Sequence, residues 1–306
     1  MMQLSSLLLA ARLIFDTDMG NDIDDALALA VIHALESRGE AQLLAVTVTK
    51  DNRYAAPYCD LVNHFYGRGN IPVGVVRNGK TPEDSPMIRV PVERQPAYPR
   101  KLRDYRQAPE AVELIRRTLE AQPDQSVVIV QVGFSTNLAR LLDSPGGVDL
   151  VRRKVRLLSM MAGGFAGGKP EYNVRIDLES ASKVIHEWPG SIVLSGFEIG
   201  NALLYPASSI ERDFAYVDRH PVVDAYRAYK KMPYDRPTWD LTSVLFAVRP
   251  DHNYFSLSEP GRIEVQADGR TVHHAELGGR HRYLKLSEAQ RGRTLEALVQ
   301  LASQPQ

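Results

Sequence analysis

Short apolar runs alternate along the chain with segments in which apolar positions recur every three or four residues. Residues 13–15 form such a run, and Ala26, Leu29 and Ala30 follow at helical spacing. The run predicts a buried strand, and the spacing predicts a helix, which Gly39 would end. Later strands are predicted at 43–49, 71–76, 126–132, 155–161 and 192–196, a hairpin at 263–273, and helices at 55–66, 109–122, 220–231 and 287–303. A further helix is predicted to open within 236–242 and to run to about 248.

Strands that alternate with helices are typical of a parallel sheet. We therefore expect an α/β fold, a single Rossmann-like domain over residues 13–306 with a mainly parallel central sheet flanked by helices. Residues 1–12 are predicted to be an N-terminal tail or the remnant of a signal peptide. Residues 77–109 are rich in proline and charge without a clean period, and we interpret them as a lid or rim over the site.

The composition of the chain argues against several classes of protein. Lys plus Arg and Asp plus Glu both number 37, so a net charge of zero predicts neither a nucleic-acid partner nor a charged membrane surface. No apolar run approaches the length of a membrane span. The single cysteine, Cys59, excludes an intramolecular disulfide. Residues 1–11 contain no Lys or Arg, which favours a cytoplasmic location, with export expected only if they are a signal remnant.

Five carboxylates lie on the turn from the first strand to the first helix. In open α/β sheets ligands bind at this carboxyl edge of the strands. One or two aspartates there could cap the helix, but five like charges need a cation or many hydrogen-bond donors. Oxygen ligands without Cys or His suit Ca²⁺ or Mg²⁺. The carboxylates are those of Asp16, Asp18, Asp22, Asp24 and Asp25.

The run DTDMGNDIDDALAL, residues 16–29, resembles the N-terminal signature of the inosine-uridine-preferring nucleoside hydrolases, D-x-D-x-G-x-D-D-A. This chain has two extra residues between Gly20 and the Asp24-Asp25 pair. Later segments resemble that family in the same order. They are GFSTN at 133–137, EYN at 171–173, DLESA at 177–181 and the helix start TWD at 238–240.

The resemblance implies a Ca²⁺-dependent enzyme that hydrolyses the N-glycosidic bond of ribonucleosides, assembled as a homodimer or homotetramer. In such an enzyme Asp18, Asp25, Asp240 and the backbone carbonyl of Val132 hold Ca²⁺, and Asp18 also receives the proton of the attacking water. The implied ribose-binding residues are Asp24, Asn52 (with Asp51 as a substitute), Glu171 and Asn173. Asp16 is expected to position the turn and Asp177 to cap a helix.

One position departs from the family. Many members that act on pyrimidines or on many bases have His before the last metal-binding Asp, where it can protonate the leaving base, whereas this chain has Trp239. An indole can stack on a base but cannot usefully donate a proton. We therefore expect a preference for purines. Tyr226, Tyr229, Lys230 and His252 are the alternative candidates for the missing acid.

Two other function classes compete with a nucleoside hydrolase. A Ca²⁺-dependent sugar-binding or nucleoside-binding protein without turnover would use the same scaffold. A phosphatase of the haloacid-dehalogenase type would use D-x-D-x-[TV], but the fifth residue here is Gly20 and no later acid pair follows. The glycine-rich run at 163–170 imitates a phosphate loop, yet Pro170 stands where that motif needs a hydroxyl.

Overall fold

The computed structural model describes residues 10–305. Its strands are β1 (Ala11–Thr17), β2 (Ala41–Lys50), β3 (Val73–Lys80), β4 (Val127–Gln131), β5 (Val155–Met161), β6 (Ile192–Ser195), β7 (Leu204–Tyr205), β8 (Arg236–Pro237), β9 (Ser256–Leu257), β10 (Gly261–Val265), β11 (Thr271–Ala275) and β12 (His281–Lys285). Its helices are α1 (Asp24–Ser37), α2 (Ala55–Phe65), α3 (Pro86–Glu93), α4 (Ala111–Glu120), α5 (Thr136–Asp143), α6 (Gly147–Lys154), α7 (Tyr172–Ile176), α8 (Leu178–Glu187), α9 (Phe197–Asn201), α10 (Ala207–Arg212), α11 (Pro221–Tyr229), α12 (Trp239–Val248) and α13 (Glu288–Ala302).

Within residues 10–305, ten strands form one sheet, in the order β11-β10-β12-β6-β5-β4-β1-β2-β3, with β9 paired to β12. The strands from β12 to β3 run parallel, and the β10–β11 hairpin adds an antiparallel edge. The predicted mainly parallel α/β fold is confirmed. No helix in this part of the chain is both long and apolar enough to cross a bilayer.

The direction of winding reverses between β1 and β4, which lie side by side although β2 and β3 separate them in sequence. Such a switch point opens a crevice at the carboxyl ends of the two strands, where ligands bind in open α/β sheets. β1 is covered on both faces, because Leu13 and Phe15 pack into one core and Ile14 into the other. This burial on both faces explains its uninterrupted apolar run.

Helix α1 is buried from Asp24 to Leu35 and packs against α12 and α13. Because protein surrounds this helix, most of its faces must be apolar, and its sequence accordingly consists mainly of Ala, Leu, Val and Ile. The packing holds the first turn of α1 rigidly against the start of α12. Two carboxylates of α1, Asp24 and Asp25, therefore enter the interior rather than solvent.

The interpretation of residues 77–109 as a lid or rim without elements is partly wrong. β3 continues to Lys80, and α3 occupies the middle of the segment with Met87 and Ile88 buried against α2 and α11. Two prolines, Pro86 and Pro91, obscure the helical pattern in the sequence. Most of the predicted segment at 1–12 lies outside the described residues, although Ala11 and Arg12 already belong to β1. The remaining predicted strands and helices occur with ends shifted by a few residues.

Candidate active site

A cavity of about 370 Å³ opens at the carboxyl edge of the parallel strands. All the residues that the resemblance assigns to the metal and the ribose line it except Asn52, and so does Trp239. The lining residues are Asp18, Asn21, Asp22, Asp24, Asp25, Val132, Met161, Glu171, Tyr172, Asn173, Phe197, Tyr229, Arg236, Trp239 and Asp240.

The turn between β1 and α1 brings four of its five carboxylates into this cavity, all except that of Asp16. Gly20 lies in the turn with φ at +112°, in the left-handed region that favours glycine. A Cβ there would lie 2.5 Å from Ile88 Cδ1, so α3 presses on the turn. The side chains of Asp18, Asp24 and Asp25 are consequently buried at fixed positions.

A second glycine brings the end of β4 against the end of β1. A Cβ on Gly133 would lie 2.4 Å from the backbone nitrogen of Asp18, an approach that only glycine permits. Val132, one residue earlier, donates its N–H to the carbonyl of Asp16 at 2.7 Å and lines the cavity. Two loops that are far apart in sequence thus meet at the switch point.

Asp240, in the first turn of α12, completes the acidic cluster. One carboxylate oxygen from each of Asp24, Asp25 and Asp240 lies within 4.8 Å of the others, with Asp18 in the same cavity but outside that group. The backbone N–H of Asp240 donates to Asp24 Oδ2 at 3.1 Å, which joins the two helix starts. Thr17 donates its hydroxyl to Asp25 Oδ1, while Asp25 Oδ2 is buried without a hydrogen-bond partner in the described part of the chain.

The buried carboxylates of this cluster repel one another, which favours the binding of a cation. Burial, together with repulsion from the nearby Asp22, raises the pKa of Asp18 to about 6. Burial, followed by repulsion from neighbouring carboxylates, raises the pKa of Asp24, Asp25 and Asp240 well above the ordinary range. A divalent cation would relieve this repulsion, and the orphaned oxygen of Asp25 is a ready ligand. An all-oxygen donor set fits a hard cation such as Ca²⁺ or Mg²⁺.

The comparisons with known proteins decide the family. The family model described as inosine-uridine preferring nucleoside hydrolase matches residues 13–301. The chain belongs to this family. Its members depend on a metal, which agrees with the acidic cluster. The chain is thus an N-glycosyl hydrolase of the nucleoside hydrolase family, and the predicted hydrolase activity is confirmed over the phosphatase alternative.

Solved structures of nucleoside hydrolases share the fold of this chain. A plant nucleoside hydrolase is 20% identical with a TM-score of 0.72, over 96% of this chain and 99% of its own. An inosine-uridine preferring nucleoside hydrolase from Bacillus anthracis is 19% identical with a TM-score of 0.73, over 96% and 100%. An inosine-guanosine nucleoside hydrolase is 19% identical with a TM-score of 0.70, over 95% and 98%. No curated protein sequence matches the chain.

Asp16 does not face the cavity of this nucleoside hydrolase. Its Oδ1 accepts hydrogen bonds from the Thr47 hydroxyl at 2.6 Å and from Asn137 Nδ2 at 2.8 Å, so it joins β1, β2 and α5. This is the positioning role expected for it. Complete burial also keeps the Asp16 carboxylate from acting as a phosphatase nucleophile.

Helix capping differs from the expectation. Asp177 precedes α8 but makes no side-chain cap, because its carboxylate accepts from the Thr136 hydroxyl. Glu171 instead caps α7, accepting from the backbone N–H groups of Asn173 at 2.7 Å and Val174 at 3.1 Å. The sequence nominated Glu171 for ribose, and its carboxylate is already engaged at the cavity wall. Glutamate is not among the side chains preferred at an N-cap, so the local sequence did not signal this cap.

Asn52 is committed to a neighbouring loop. Its Oδ1 accepts from the backbone N–H of Tyr54 at 2.9 Å, and its Nδ2 donates to the carbonyls of Pro82 at 3.0 Å and Glu83 at 3.2 Å. Asp51, the substitute, accepts from a backbone N–H of β3. The structure brings neither residue into the cavity lining.

We expect Asn52→Ala to lower the free energy of unfolding by about 1–3 kcal/mol, because it leaves several backbone groups without their hydrogen-bond partner. The KM for a nucleoside should stay close to the wild-type value. Urea unfolding and steady-state kinetics measure the two effects, with Asn173→Ala, which alters the cavity wall, as the comparison. An Asn52→Ala variant of normal stability with a KM as high as that of Asn173→Ala would restore the ribose-binding role.

An ion pair between two residues of the cavity lining was not predicted from the sequence. Arg236 Nε donates to Asp22 Oδ1 at 2.8 Å, and a second bond joins Arg236 Nη2 to Asp22 Oδ2. One or two aspartates of the turn could have capped the helix, yet α1 has no side-chain cap, and Asp22 pairs with the arginine. The available signal was the two-residue extension of the signature, which places an extra carboxylate in the turn.

Proposed function

We propose that this nucleoside hydrolase uses Ca²⁺ to cleave purine ribonucleosides to free base and ribose. The observation that carries the proposal is the convergence of Asp24, Asp25 and Asp240 in one cavity, with an unpartnered buried oxygen on Asp25. Residues for the metal are Asp18, Asp25, Asp240 and the backbone carbonyl of Val132. Ca²⁺ accepts six to eight oxygen ligands in flexible geometry, which suits carboxylates from separate loops together with a carbonyl.

The cation, when bound, supplies positive charge that holds the ribose hydroxyls and acidifies a coordinated water. The chain supplies the remaining chemistry. Asp18 accepts the proton of the attacking water, since burial raises its pKa to about 6, near the range in which a general base works best. Asp24 offers the oxygen that Asp240 leaves free to a ribose hydroxyl.

Asn173 and Glu171 form the wall of the ribose site. Asn173 Nδ2 donates to the carbonyl of Val132 at 2.8 Å, so its amide orients the proposed backbone ligand. A carbonyl oxygen has two lone pairs, and the second stays available. Glu171 holds α7 in place, and α7 carries both Asn173 and Tyr172 into the cavity.

Aromatic side chains form another part of the cavity lining. Phe197 and Tyr172 are 47% and 42% exposed although both line the cavity, so each has apolar surface free for a ligand. Trp239 lies beside Phe197, with its Nε1 donating to the Phe197 carbonyl at 2.9 Å and the ring centroids 5.4 Å apart. Flat aromatic surfaces of this extent favour a large flat base, hence a purine.

A panel of ribonucleosides tests this function. Purine and pyrimidine ribonucleosides are incubated with the enzyme, with a chelator, and with Ca²⁺ restored, and free ribose and free base are measured. Hydrolysis that is lost with the chelator and restored by Ca²⁺ supports the proposal. Binding without release of ribose would favour the alternative of a sugar-binding protein. Assembly as a homodimer or homotetramer stays a prediction.

Replacing the indole tests the purine preference. We expect Trp239→Ala to reduce the ratio of kcat/KM for inosine to that for uridine by about tenfold, because stacking on a base contributes about 1–3 kcal/mol. Trp188→Phe is the control, since Trp188 is buried in the opposite core and away from the cavity. Faster cleavage of uridine than of inosine by the wild type, or an unchanged ratio in Trp239→Ala, would contradict the preference.

A further inference from the structure

Among the described residues that line the cavity, only Arg236 has a cationic side chain. We propose that Arg236 is the leaving-group residue, whose Nη1 donates hydrogen bonds to the departing base and favours 6-oxopurines. This inference rests on the proposed function and names the part of the substrate that the site recognises. Three observations carry it: the orientation of the guanidinium, its unused donors, and the engagement of the alternative acids elsewhere.

The orientation of Arg236 is determined on several sides. Asp22 accepts two hydrogen bonds, from Nε at 2.8 Å and from Nη2, in the bidentate geometry that suits a guanidinium. Nη2 also donates to the Tyr229 hydroxyl at 3.1 Å. The guanidinium carbon lies 5.2 Å from the Tyr229 ring centroid and 5.3 Å from that of Trp239. The plane of the guanidinium is therefore set before any ligand arrives.

Nη1 keeps both of its N–H groups unused by any residue of the chain at 10–305, although Arg236 contributes to the cavity lining. A guanidinium stays protonated in proteins, so these donors carry positive charge at every working pH. The carboxylate of Asp22 balances the charge of Arg236, but it contacts only Nε and Nη2 of the guanidinium. The Nη1 side of Arg236, a residue of the cavity lining, is thus left as a charged donor.

Three of the alternative acids are engaged elsewhere or lie outside the cavity, and Tyr229, which lines the cavity, is a weak acid. Tyr226 donates its hydroxyl to a backbone carbonyl at 2.9 Å. Lys230 and His252 do not line the cavity. Tyr229 accepts from Arg236 and has its pKa raised to about 12, mainly by burial. Arg236 is thus the donor that the geometry offers to the leaving base.

Arg236 keeps all its protons while the N-glycosidic bond is hydrolysed. The bond from ribose C1′ to the base nitrogen breaks, and its electron pair leaves with the base. The water oxygen bonds to C1′, and its proton passes to Asp18. The base leaves as an anion that the Arg236 donors stabilise, and it then takes a proton from solvent water. Arg236 therefore lowers the energy of the leaving group by hydrogen bonding alone.

The same geometry predicts which bases gain most. Hypoxanthine and guanine present two acceptors, O6 and N7, on one edge, a pattern that arginine recognises well. Adenine presents an amino donor in place of O6 and would face the guanidinium unfavourably. Asp22 acts as a positioning residue, since it makes no contact with the base and only orients Arg236. The two extra residues of the turn, relative to the shorter signature, thus support a specificity element.

The test compares two leaving groups in Arg236→Met. We expect kcat/KM for inosine to fall about 30-fold, in the range for hydrogen bonds to charged groups. For p-nitrophenyl riboside, whose leaving group is stable as an anion without help, kcat/KM should stay close to wild type. Asp22→Asn should show a smaller loss with the same dependence on the leaving group. 7-Deazainosine, which lacks N7, should be less sensitive to Arg236→Met than inosine is.

Arg249→Met is a matched control. Arg249 makes a bidentate pair with Glu40, at 2.7 Å for both bonds, at the opposite edge of the sheet. Any loss there should affect inosine and the nitrophenyl riboside by the same factor. Calorimetric binding of free hypoxanthine is the second readout, and Arg236→Met should weaken it about tenfold.

Equal losses on both ribosides in Arg236→Met, together with unchanged hypoxanthine affinity, would overturn the assignment and leave Arg236 a structural residue. A wild-type enzyme that releases no base from any nucleoside would overturn the proposed function instead. In that event a loss of hypoxanthine affinity in Arg236→Met would still support recognition of the base. The two proposals can therefore fail separately.

Discussion

Asp25→Asn is expected to lower kcat/KM for a purine nucleoside by about 10³-fold or more and to abolish stoichiometric Ca²⁺ binding. Even residues that merely orient metal ligands cost about 10–100-fold when replaced, and Asp25 is proposed as a ligand itself. Its Oδ1 accepts from Thr17, and an asparagine oxygen can keep that bond, while Oδ2 has no hydrogen-bond partner among residues 10–305. The substitution therefore removes the charge and one ligand atom with little change of packing.

Asp60→Asn is the matched control for that variant. Asp60 is also buried, and its Oδ2 accepts from the backbone N–H groups of Lys101 and Leu102, both at 2.7 Å, away from the cavity. An amide oxygen can accept the same bonds, so Ca²⁺ binding and turnover should persist. Calorimetric titration with Ca²⁺ and steady-state kinetics measure both variants. Full turnover with stoichiometric Ca²⁺ in Asp25→Asn would refute the site assignment.

Ca²⁺ affinity is expected to rise about 100-fold or more between pH 5 and pH 7.5. Metal ligands bind in their deprotonated form, so each proton that binding displaces changes the affinity about tenfold per pH unit. Burial raises the pKa of Asp18 to about 6, and burial with neighbouring charges raises the pKa of Asp25 and Asp240 well above the ordinary range. Protons therefore compete with the cation throughout this interval.

The stability of the metal-free protein should change in the opposite direction. The folded-state pKa values of Asp16 and Glu171 are raised to about 7 and that of Asp18 to about 6, in each case chiefly by burial. The folded state then binds more protons than the unfolded state between about pH 4 and pH 7. By linkage, the stability that these groups contribute is present below about pH 4 and is lost as the pH rises through their folded-state values.

Buried histidines act against this trend and must be separated from it. Burial lowers the pKa of His220 to about 3 and that of His281 to about 4, so their contribution is lost as the pH falls below about 6.5. Both forms of the protein contain these histidines, so the difference in melting temperature between Ca²⁺-loaded and chelated samples cancels them. That difference should widen steadily from pH 5 to pH 7.5. A difference that stayed constant would show that Ca²⁺ binds away from these carboxylates.

The turn after β1 illustrates what a local pattern determines. Asp18, Asp24 and Asp25 lie within eight positions of one another, between an apolar strand and a helix with regular spacing. Residues so close in sequence, on one turn between a strand and a helix, lie at the same edge of the sheet regardless of how the other strands are arranged. The sequence was therefore sufficient for the fold class, the position of the site at the strand ends and its acidic, oxygen-rich chemistry.

Partnerships across the fold needed the packed structure. Arg236 and Asp22 are 214 positions apart, and they meet because α12 packs beside α1. Asn52 follows a strand as a ribose ligand should, yet its amide points to the loop at 82–84. Glu171 likewise became a helix cap. Apolar periodicity determines which face of an element is buried, whereas the partner of a polar side chain depends on which elements become neighbours in the assembled sheet and helix layers.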